Sequence, residues 1–412
     1  MEYGLIGEKL GHSFSVPIHE QLTGEPYVLR EIAPEDLDGF MRRKEFKAIN
    51  VTIPYKQAVM PYLDEISETA RAIGAVNTIV NRGGKLSGDN TDCDGLTRLI
   101  LRVCPEPAGK KTLVLGTGGT SKTAVYAAQM LGMDPVIRVS RSGREDAATY
   151  ETASREHRDA KVIINTTPCG MYPNDEAAPV ALGDYPDVQA VVDVIYHPLR
   201  TKLLTEARRR GIPAEGGLYM LVAQGVRAAG IFRDTEYDPA RTEEIFRRLA
   251  REKENIVLTG MPGSGKSAVA AILGEKAGRK VIDTDREIVR AAGMEITEIF
   301  RQFGEKHFRD LESKVIREAA RETGVIISTG GGAVLREENV DALRRNGRLF
   351  WLDRAEEELI PTDDRPLADN REKMQALYQQ RKPIYAATAD ERIPVTGSAA
   401  EAAKDIESRW NA

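Results

Sequence analysis

The stretch Ile256-Val257-Leu258-Thr259-Gly260-Met261-Pro262-Gly263-Ser264-Gly265-Lys266-Ser267 passes from an apolar run through a glycine turn into a helical pattern over Ser267–Ala277. From Gly260 to Ser267 it fits G-x-x-x-x-G-K-[ST], and phosphate chemistry calls for each of these residue types. Gly260, Gly263 and Gly265, with Ser264 between them, let backbone N–H groups turn towards phosphate oxygens. Lys266 neutralises the β- and γ-phosphates, and Ser267 offers a hydroxyl to Mg²⁺. A plain glycine turn capping a helix is the alternative, and the strand and helix on either side weigh against it. The stretch predicts a nucleoside triphosphate site at the end of a strand in an α/β sheet.

Working outward, short β-rich runs alternate with helical stretches along the whole chain, the pattern of layered α/β units with parallel sheets. Expected strands are Ala48–Ile53, Thr112–Leu115, Val136–Val139, Val162–Asn165, Val191–Val194, Ile256–Thr259, Val325–Ser328 and Leu349–Leu352, and a helix is expected over Thr120–Leu131. A second glycine turn, Gly116-Thr117-Gly118-Gly119, also joins a strand to a helix. Each turn founds its own nucleotide-binding sheet, so at least two units share the chain, with a junction near Arg251–Glu254. No repeat or low-complexity tract intervenes.

Composition narrows the class. The 412 residues carry 58 Lys+Arg against 63 Asp+Glu, so neither a nucleic-acid binder nor an acidic disordered chain is indicated. Cys93, Cys104 and Cys169 form no C-x-x-C pair and supply neither a disulfide framework nor a zinc ribbon. The five histidines lack metal-ligand spacing, so no transition metal is expected. No apolar run reaches the roughly 18 residues of a membrane span, and Met1–Gly7 enters a strand-like segment without a signal-peptide pattern. The expectation is a cytoplasmic enzyme with small-molecule substrates and neither nucleic-acid nor membrane partners.

Downstream of the phosphate turn come Val281-Ile282-Asp283-Thr284-Asp285, read as two carboxylates on one face of a strand end, then Gly304–Glu312, Ser328–Gly332, Asp364-Arg365-Pro366-Leu367 and Arg381–Tyr385. Taken singly, each arginine is an ordinary surface charge; the ordered set resembles shikimate kinase over nearly all of 254–412. The resemblance implies that Asp285 holds the acceptor hydroxyls and serves as base. It has Arg309, oriented by Glu312, and Arg381 grip a substrate carboxylate. Gly330, Gly331 and Gly332 would approach the substrate through backbone, and Arg365 would reach the transferring phosphoryl from a lid. Ser267 would hold Mg²⁺, with Asp283 acting through water. The segment before the lid arginine is short, and Ile360-Pro361 stands where an arginine stacked on adenine is often found.

In the first glycine turn, Ser121 replaces the third glycine of G-x-G-x-x-G, so Gly116, Gly118 and Gly119 are by themselves a weak dinucleotide signal. The next strand ends in Ser140-Arg141-Ser142 and not in an acidic residue. An arginine with flanking hydroxyls suits a 2′-phosphate, which favours NADP over NAD, with Arg144 as a second contact.

The wider series is Gly11–His19, Asn50–Lys56, Ala75–Thr78, Gly88–Asp92, Asn165–Met171, Asp193–Tyr196 and Gly216–Gln224. In this order it resembles shikimate dehydrogenase over residues 1–249. That resemblance implies that Ser13, Ser15, Asn50, Thr52, Asn77, Tyr196 and Gln224 hold a cyclohexene acid and that Lys56 and Asp92 form the catalytic pair. The pair also makes chemical sense alone: a ketone receiving hydride needs a proton donor at oxygen, which a lysine beside a carboxylate supplies. Thr123 departs from the smaller residue usual in the cofactor-binding helix.

The expected architecture is a substrate lobe at 1–100, completed by helices at about 217–250, a Rossmann-type NADP lobe at 101–216, and a P-loop kinase domain with a parallel sheet at 253–412. The expected function is two consecutive steps of the shikimate route, with NADPH, ATP and Mg²⁺ as cofactors. 3-Dehydroshikimate is reduced to shikimate, and shikimate is then phosphorylated at its 3-hydroxyl. The rivals are a ligand-sensing regulator built from the same modules, and a quinate- or NAD-linked dehydrogenase joined to a kinase for another hydroxy acid. Intact Lys56, Asp92, Lys266, Asp285 and Arg365 argue against the first, and Arg141 argues weakly against the second.

Overall fold

A computed structural model describes residues 1–11, 14–143, 146–359 and 370–411. The chain divides into two compact units, Met1–Leu249 and Ala250–Ala412.

The first unit holds two sheets. Strands β1 (Tyr3–Gly7), β2 (Tyr27–Glu31), β3 (Ala48–Val51), β4 (Glu65–Ile66), β5 (Thr78–Arg82) and β6 (Lys85–Asp89) form a mixed sheet in the order β2-β1-β3-β5-β6-β4. The pairings of β5 with β3 and with β6 are antiparallel. The expected strand from Ala48 stops at Val51, and a cis Ile53–Pro54 bond follows.

Strands β7 (Thr112–Leu115), β8 (Val136–Ser140), β9 (Ala148–Thr149), β10 (Val162–Asn165), β11 (Ala190–Asp193) and β12 (Ala214–Glu215) form an all-parallel sheet in the order β12-β11-β10-β7-β8-β9. Strands β7, β10 and β11 are buried on both faces. Leu113 and Leu115 pack with Ile163 and Val191 on one side, while Val114 packs with Ile164, Val192 and Leu99 on the other. Alternate residues pointing to opposite faces, each covered by helices, explain why these strands read as continuous apolar runs. The order reverses between β7 and β10, which leaves a crevice outside their carboxyl ends where the first glycine turn lies.

Helices Thr91–Val103 and Gly217–Arg233 pack together so closely that a Cβ added at Gly95 would stand 2.6 Å from the Met220 carbonyl oxygen. This contact brings the start of one helix, with Asp92, beside Gln224 of the other.

The second unit is a five-stranded parallel sheet of β13 (Asn255–Thr259), β14 (Val281–Asp283), β15 (Ile326–Ser328), β16 (Gly347–Asp353) and β17 (Glu391–Pro394), in the order β14-β15-β13-β16-β17. Val257, Ile327, Leu349 and Trp351 pack on one face, and Ile256, Leu258, Phe350 and Leu352 on the other. The central strand β13 is buried throughout and delivers the phosphate turn at its carboxyl end, ahead of helix Lys266–Ala277. The α/β class and the parallel sheets are as the sequence implies. Among the described residues no helix is long and apolar enough to cross a membrane.

Candidate active sites

A cavity of about 330 Å³ opens in the first unit. It gathers Ser15, Asn50, Thr52, Lys56, Asn77, Asp92, Tyr196 and Gln224 from six separate segments of chain. Lys56 Nζ donates to Asp92 Oδ2 at 2.5 Å, and both side chains keep partial access to the cavity, at 28% and 19% exposure. Asn90 caps the helix that carries Asp92 by accepting from Cys93 N, which fixes where that carboxylate starts.

Behind this pair lies a buried polar chain. Tyr27 Oη donates to Asn50 Oδ1 at 2.7 Å, while Asn50 Nδ2 donates to Thr78 Oγ1 at 3.1 Å and to the Asn77 carbonyl at 3.2 Å. Asn77 Oδ1 accepts from Thr91 N at 2.8 Å and from Thr78 Oγ1 at 3.0 Å. Thr91 Oγ1 also reaches Gln224 Oε1 at 3.3 Å. Burial pushes the Tyr27 phenol well above its usual range, so it stays a donor. Tyr27, Thr78 and Thr91 were not among the sequence candidates. Thr78 and Thr91 fall within the runs Ala75–Thr78 and Gly88–Asp92 without an assigned role, and nothing in the sequence marks Tyr27. Tyr196 meets Phe14 edge-on, with ring centroids 5.4 Å apart. Asp193, which accepts from Thr201, Asn165 and Ile195 N, anchors the start of the Tyr196 loop, and burial raises its carboxyl to about 6. Ser13 lies outside the described residues.

At the first glycine turn, Gly116 takes φ of 111°, and a Cβ there would lie 2.8 Å from Thr166 Oγ1. A Cβ at Gly118 or Gly119 would meet nothing within 4 Å, so backbone is open to a ligand on that side. Ser121 has a role of its own: its hydroxyl donates to the Gly116 carbonyl at 2.6 Å and ties the turn to its helix. Arg141 and Ser142 are exposed beyond β8, whereas Ser140 is buried and accepts from Gly143 N. Arg144 lies outside the described residues. The open glycine edge and the exposed cation beyond the neighbouring strand fit a phosphorylated dinucleotide.

A larger cavity, about 950 Å³, opens in the second unit, lined by the phosphate turn, Asp283, Asp285, Arg309, Glu312, Gly330, Gly331, Gly332 and Arg381. Gly260, Gly263 and Gly265 adopt φ of 141°, 81° and 96°, values that a side chain strains. Lys266 Nζ lies across the turn, donating to the carbonyls of Gly260 at 2.9 Å and Met261 at 2.8 Å. The buried Ser264 hydroxyl has no partner among the described residues. Ser267 Oγ donates to Asp283 Oδ2 at 2.8 Å. This glycine turn, closed by its own lysine beside a hydroxyl–carboxylate pair, fits a polyphosphate with a divalent cation.

Asp283 and Asp285 do not share a strand face. Asp283 ends β14 and caps helix Thr284–Ala292 by accepting from Asp285 N and Arg286 N, and Asp285 lies in that helix's first turn. The capping tendency of aspartate decides the break.

Arg309 donates to Glu312 Oε2 at 2.8 Å from one helical turn away, and Glu305 accepts from it at 3.3 Å. Glu312 Oε1 and Arg381 Nε are buried with no partner among the described residues, at residues 1% and 3% exposed. Burial pushes the Glu312 carboxyl up and the Arg381 guanidinium down from their usual ranges. Arg309 and Arg381 bring two guanidinium groups to the cavity, and a planar guanidinium with an N–H to spare fits an acid ligand.

The Gly330–Gly332 run has a packing reason. An added Cβ would stand 2.5 Å from Asp285 Oδ1 at Gly330, 2.7 Å from Pro262 Cδ at Gly331, and 2.0 Å from Arg309 Nη1 at Gly332. Gly330 N is already spent on Thr284 Oγ1 at 2.9 Å. Tyr385, four residues after Arg381, donates to the Gly331 carbonyl. Arg365, Ile360 and Pro361 lie outside the described residues.

Two family models match the chain: shikimate dehydrogenase substrate binding domain over residues 5–79, and shikimate kinase over residues 262–410. A shikimate dehydrogenase (NADP(+)) of Clostridium perfringens is 35% identical over 273 aligned residues, covering 60% of this chain and 97% of that protein. Among solved structures, a chorismate mutase/shikimate 5-dehydrogenase fusion protein from Clostridium acetobutylicum is 37% identical with a TM-score of 0.56, covering 60% of this chain and 96% of that one. Shikimate 5-dehydrogenase from Thermus thermophilus, solved with NADP(H) and shikimate, is 30% identical with a TM-score of 0.53, over 60% of this chain and 99% of that one. The chain therefore belongs to the family of NADP-dependent shikimate dehydrogenases and carries after it a shikimate kinase domain, a kinase using ATP with Mg²⁺, which makes it a bifunctional enzyme of the shikimate pathway.

Proposed function

We propose that the first unit reduces 3-dehydroshikimate to shikimate with NADPH, and that the second phosphorylates the shikimate 3-hydroxyl with MgATP. The observation carrying this reading is the Lys56–Asp92 pair at 2.5 Å inside a cavity into which Ser15, Asn50, Thr52, Asn77, Tyr196 and Gln224 bring hydroxyls and amides. Such a cavity suits a polyhydroxylated acid whose ketone must be protonated. In this reading residues 1–100, completed by helices at about 217–250, form the substrate lobe, 101–216 the NADP lobe, and 253–412 the kinase.

Bound NADPH supplies the hydride. Ser13, Ser15, Asn50, Thr52, Asn77, Tyr196 and Gln224 hold the ring hydroxyls and carboxylate, which orients the carbonyl. Lys56, held by Asp92, delivers a proton to the carbonyl oxygen, converting it to the hydroxyl. Gly116, Gly118 and Gly119 leave backbone open to the dinucleotide, and Ser140, Arg141, Ser142 and Arg144 serve its 2′-phosphate.

Bound MgATP supplies the phosphoryl group. Arg309 and Arg381 grip the acceptor carboxylate, with Glu312 holding Arg309 in place. Asp285 takes the proton of the attacking hydroxyl. Lys266 leaves the carbonyls of its own turn for phosphate oxygens, Ser267 and Asp283 serve Mg²⁺, and Arg365 stabilises charge on the phosphoryl. The balanced charge supports small-molecule substrates, and three cysteines with no C-x-x-C pair support a reducing, cytoplasmic setting.

Purified protein given 3-dehydroshikimate, NADPH and MgATP, with NADPH oxidation and ADP release followed separately, tests both halves. Oxidation and ADP release in equal amounts are expected. Turnover of quinate with NAD in preference would replace the first assignment, and binding without turnover would make the chain a sensor.

A further inference from the structure

The phosphate turn has two flanks in this structure. On one, Pro262 packs against Gly331, which leads to Asp285, Arg309 and Arg381. The terminal phosphate must face that acceptor side, so the nucleoside leaves by the other flank, at Gly265. There stands Arg354, the first residue after β16, with Nη2 4.0 Å from the Cβ position of Gly265. It takes no part in lining the acceptor cavity.

The commitments of its guanidinium are specific. Nη1 donates to Glu358 Oε2 at 3.0 Å, and Nη2 reaches towards the Gly397 carbonyl at 3.5 Å, in the loop after β17. Nε is buried with no partner among the described residues, although the side chain as a whole keeps 22% exposure. An arginine paired with a carboxylate and held in its plane at both ends is a poor phosphate ligand. What it still offers is a flat, weakly hydrated face and one N–H, and that face stacks well on an aromatic ring.

We propose that Arg354 is the base-side residue of the ATP site, stacking its guanidinium face on the purine of a nucleotide whose phosphates occupy Gly260–Ser267. Glu358 and the Gly397 carbonyl hold the plane in position. This rests on reading that turn as the ATP site, and it adds a base contact to a site so far built only from phosphate ligands.

Calorimetric titration of the full chain with MgADP and, separately, with magnesium tripolyphosphate tests it. Arg354→Ala should weaken MgADP about tenfold, the worth of one stacking contact, and leave tripolyphosphate unchanged. Arg354→Lys, which keeps the charge and loses the plane, should lose as much as Arg354→Ala. Unaltered shikimate binding and dehydrogenase turnover certify that each variant is folded. Equal weakening of both ligands would make Arg354 a phosphate contact and overturn the proposal, as would MgADP affinity like that of the unmodified chain. Should either variant fail these folding checks, Glu358→Gln, which frees the plane, carries the same expectation, and unchanged MgADP affinity there overturns the proposal. If the unmodified chain binds neither ligand, the ATP-site reading itself falls.

Discussion

Lys56 Nζ lies 2.5 Å from Asp92 Oδ2, although the two come from unrelated parts of the chain: a loop after β3 and the first turn of helix Thr91–Val103. Each would be an ordinary surface charge without the other. Lys56→Ala and Asp92→Asn should each lower dehydrogenase kcat by about 10²-fold or more, the usual worth of a positioned proton donor. Kinase turnover in the same preparations should stay unchanged. A loss in both assays would point to unfolding and not to chemistry.

Tyr27 does not line the cavity, yet its hydroxyl holds Asn50. Tyr27→Phe keeps the ring stacked 4.2 Å from His19 and removes only that bond. Losing one buried hydrogen bond costs about 1 kcal/mol, so KM for the dehydrogenase substrate should rise about fivefold. KM for NADPH should not move, and equal changes in both would argue against a positioning role.

Gly332→Ala places a carbon where Arg309 Nη1 now stands and must displace the guanidinium from Glu312. Kinase KM for the acid acceptor should rise at least tenfold, since charge-assisted hydrogen bonds are worth about 1.5–3 kcal/mol. KM for ATP measured at saturating acceptor serves as the internal control and should hold.

His19 lies between Tyr27 and Phe232, at 4.2 and 5.5 Å, with both ring nitrogens buried and unpartnered among the described residues. Burial lowers its pKa from 6.5 to about 3. Below pH 6.5 the unfolded chain therefore binds a proton that the folded one refuses, and stability falls with pH down to about 3. Between pH 6.5 and pH 5 this costs about 2 kcal/mol. His19→Phe should reduce the loss. The urea midpoint for dehydrogenase activity at pH 7 and pH 5 measures it, and identical pH slopes in the two proteins would contradict the assignment.

The fold was largely legible in sequence where local chemistry is demanding. Gly260–Ser267 needs positive φ, a lysine and a hydroxyl at set spacings, and few other structures use that combination. The short apolar strands β7, β10 and β13 are buried on both faces and so read as unbroken apolar runs. Asp283-Thr284-Asp285 was harder. Strand and helix meet within three residues there, and only the capping bonds from Asp285 N and Arg286 N show where one ends.

The sequence by itself determined the two nucleotide turns, the class of chemistry at each and the identity of most polar residues at both cavities. These follow from residue types at short spacings, which the backbone enforces locally. The tertiary structure alone decided which distant groups meet: Tyr27 on Asn50, Gly332 under Arg309, and Arg354 beside Gly265. Those contacts join segments far apart in the chain or depend on a close approach of backbone. Helix and sheet packing sets them, and no local pattern encodes it.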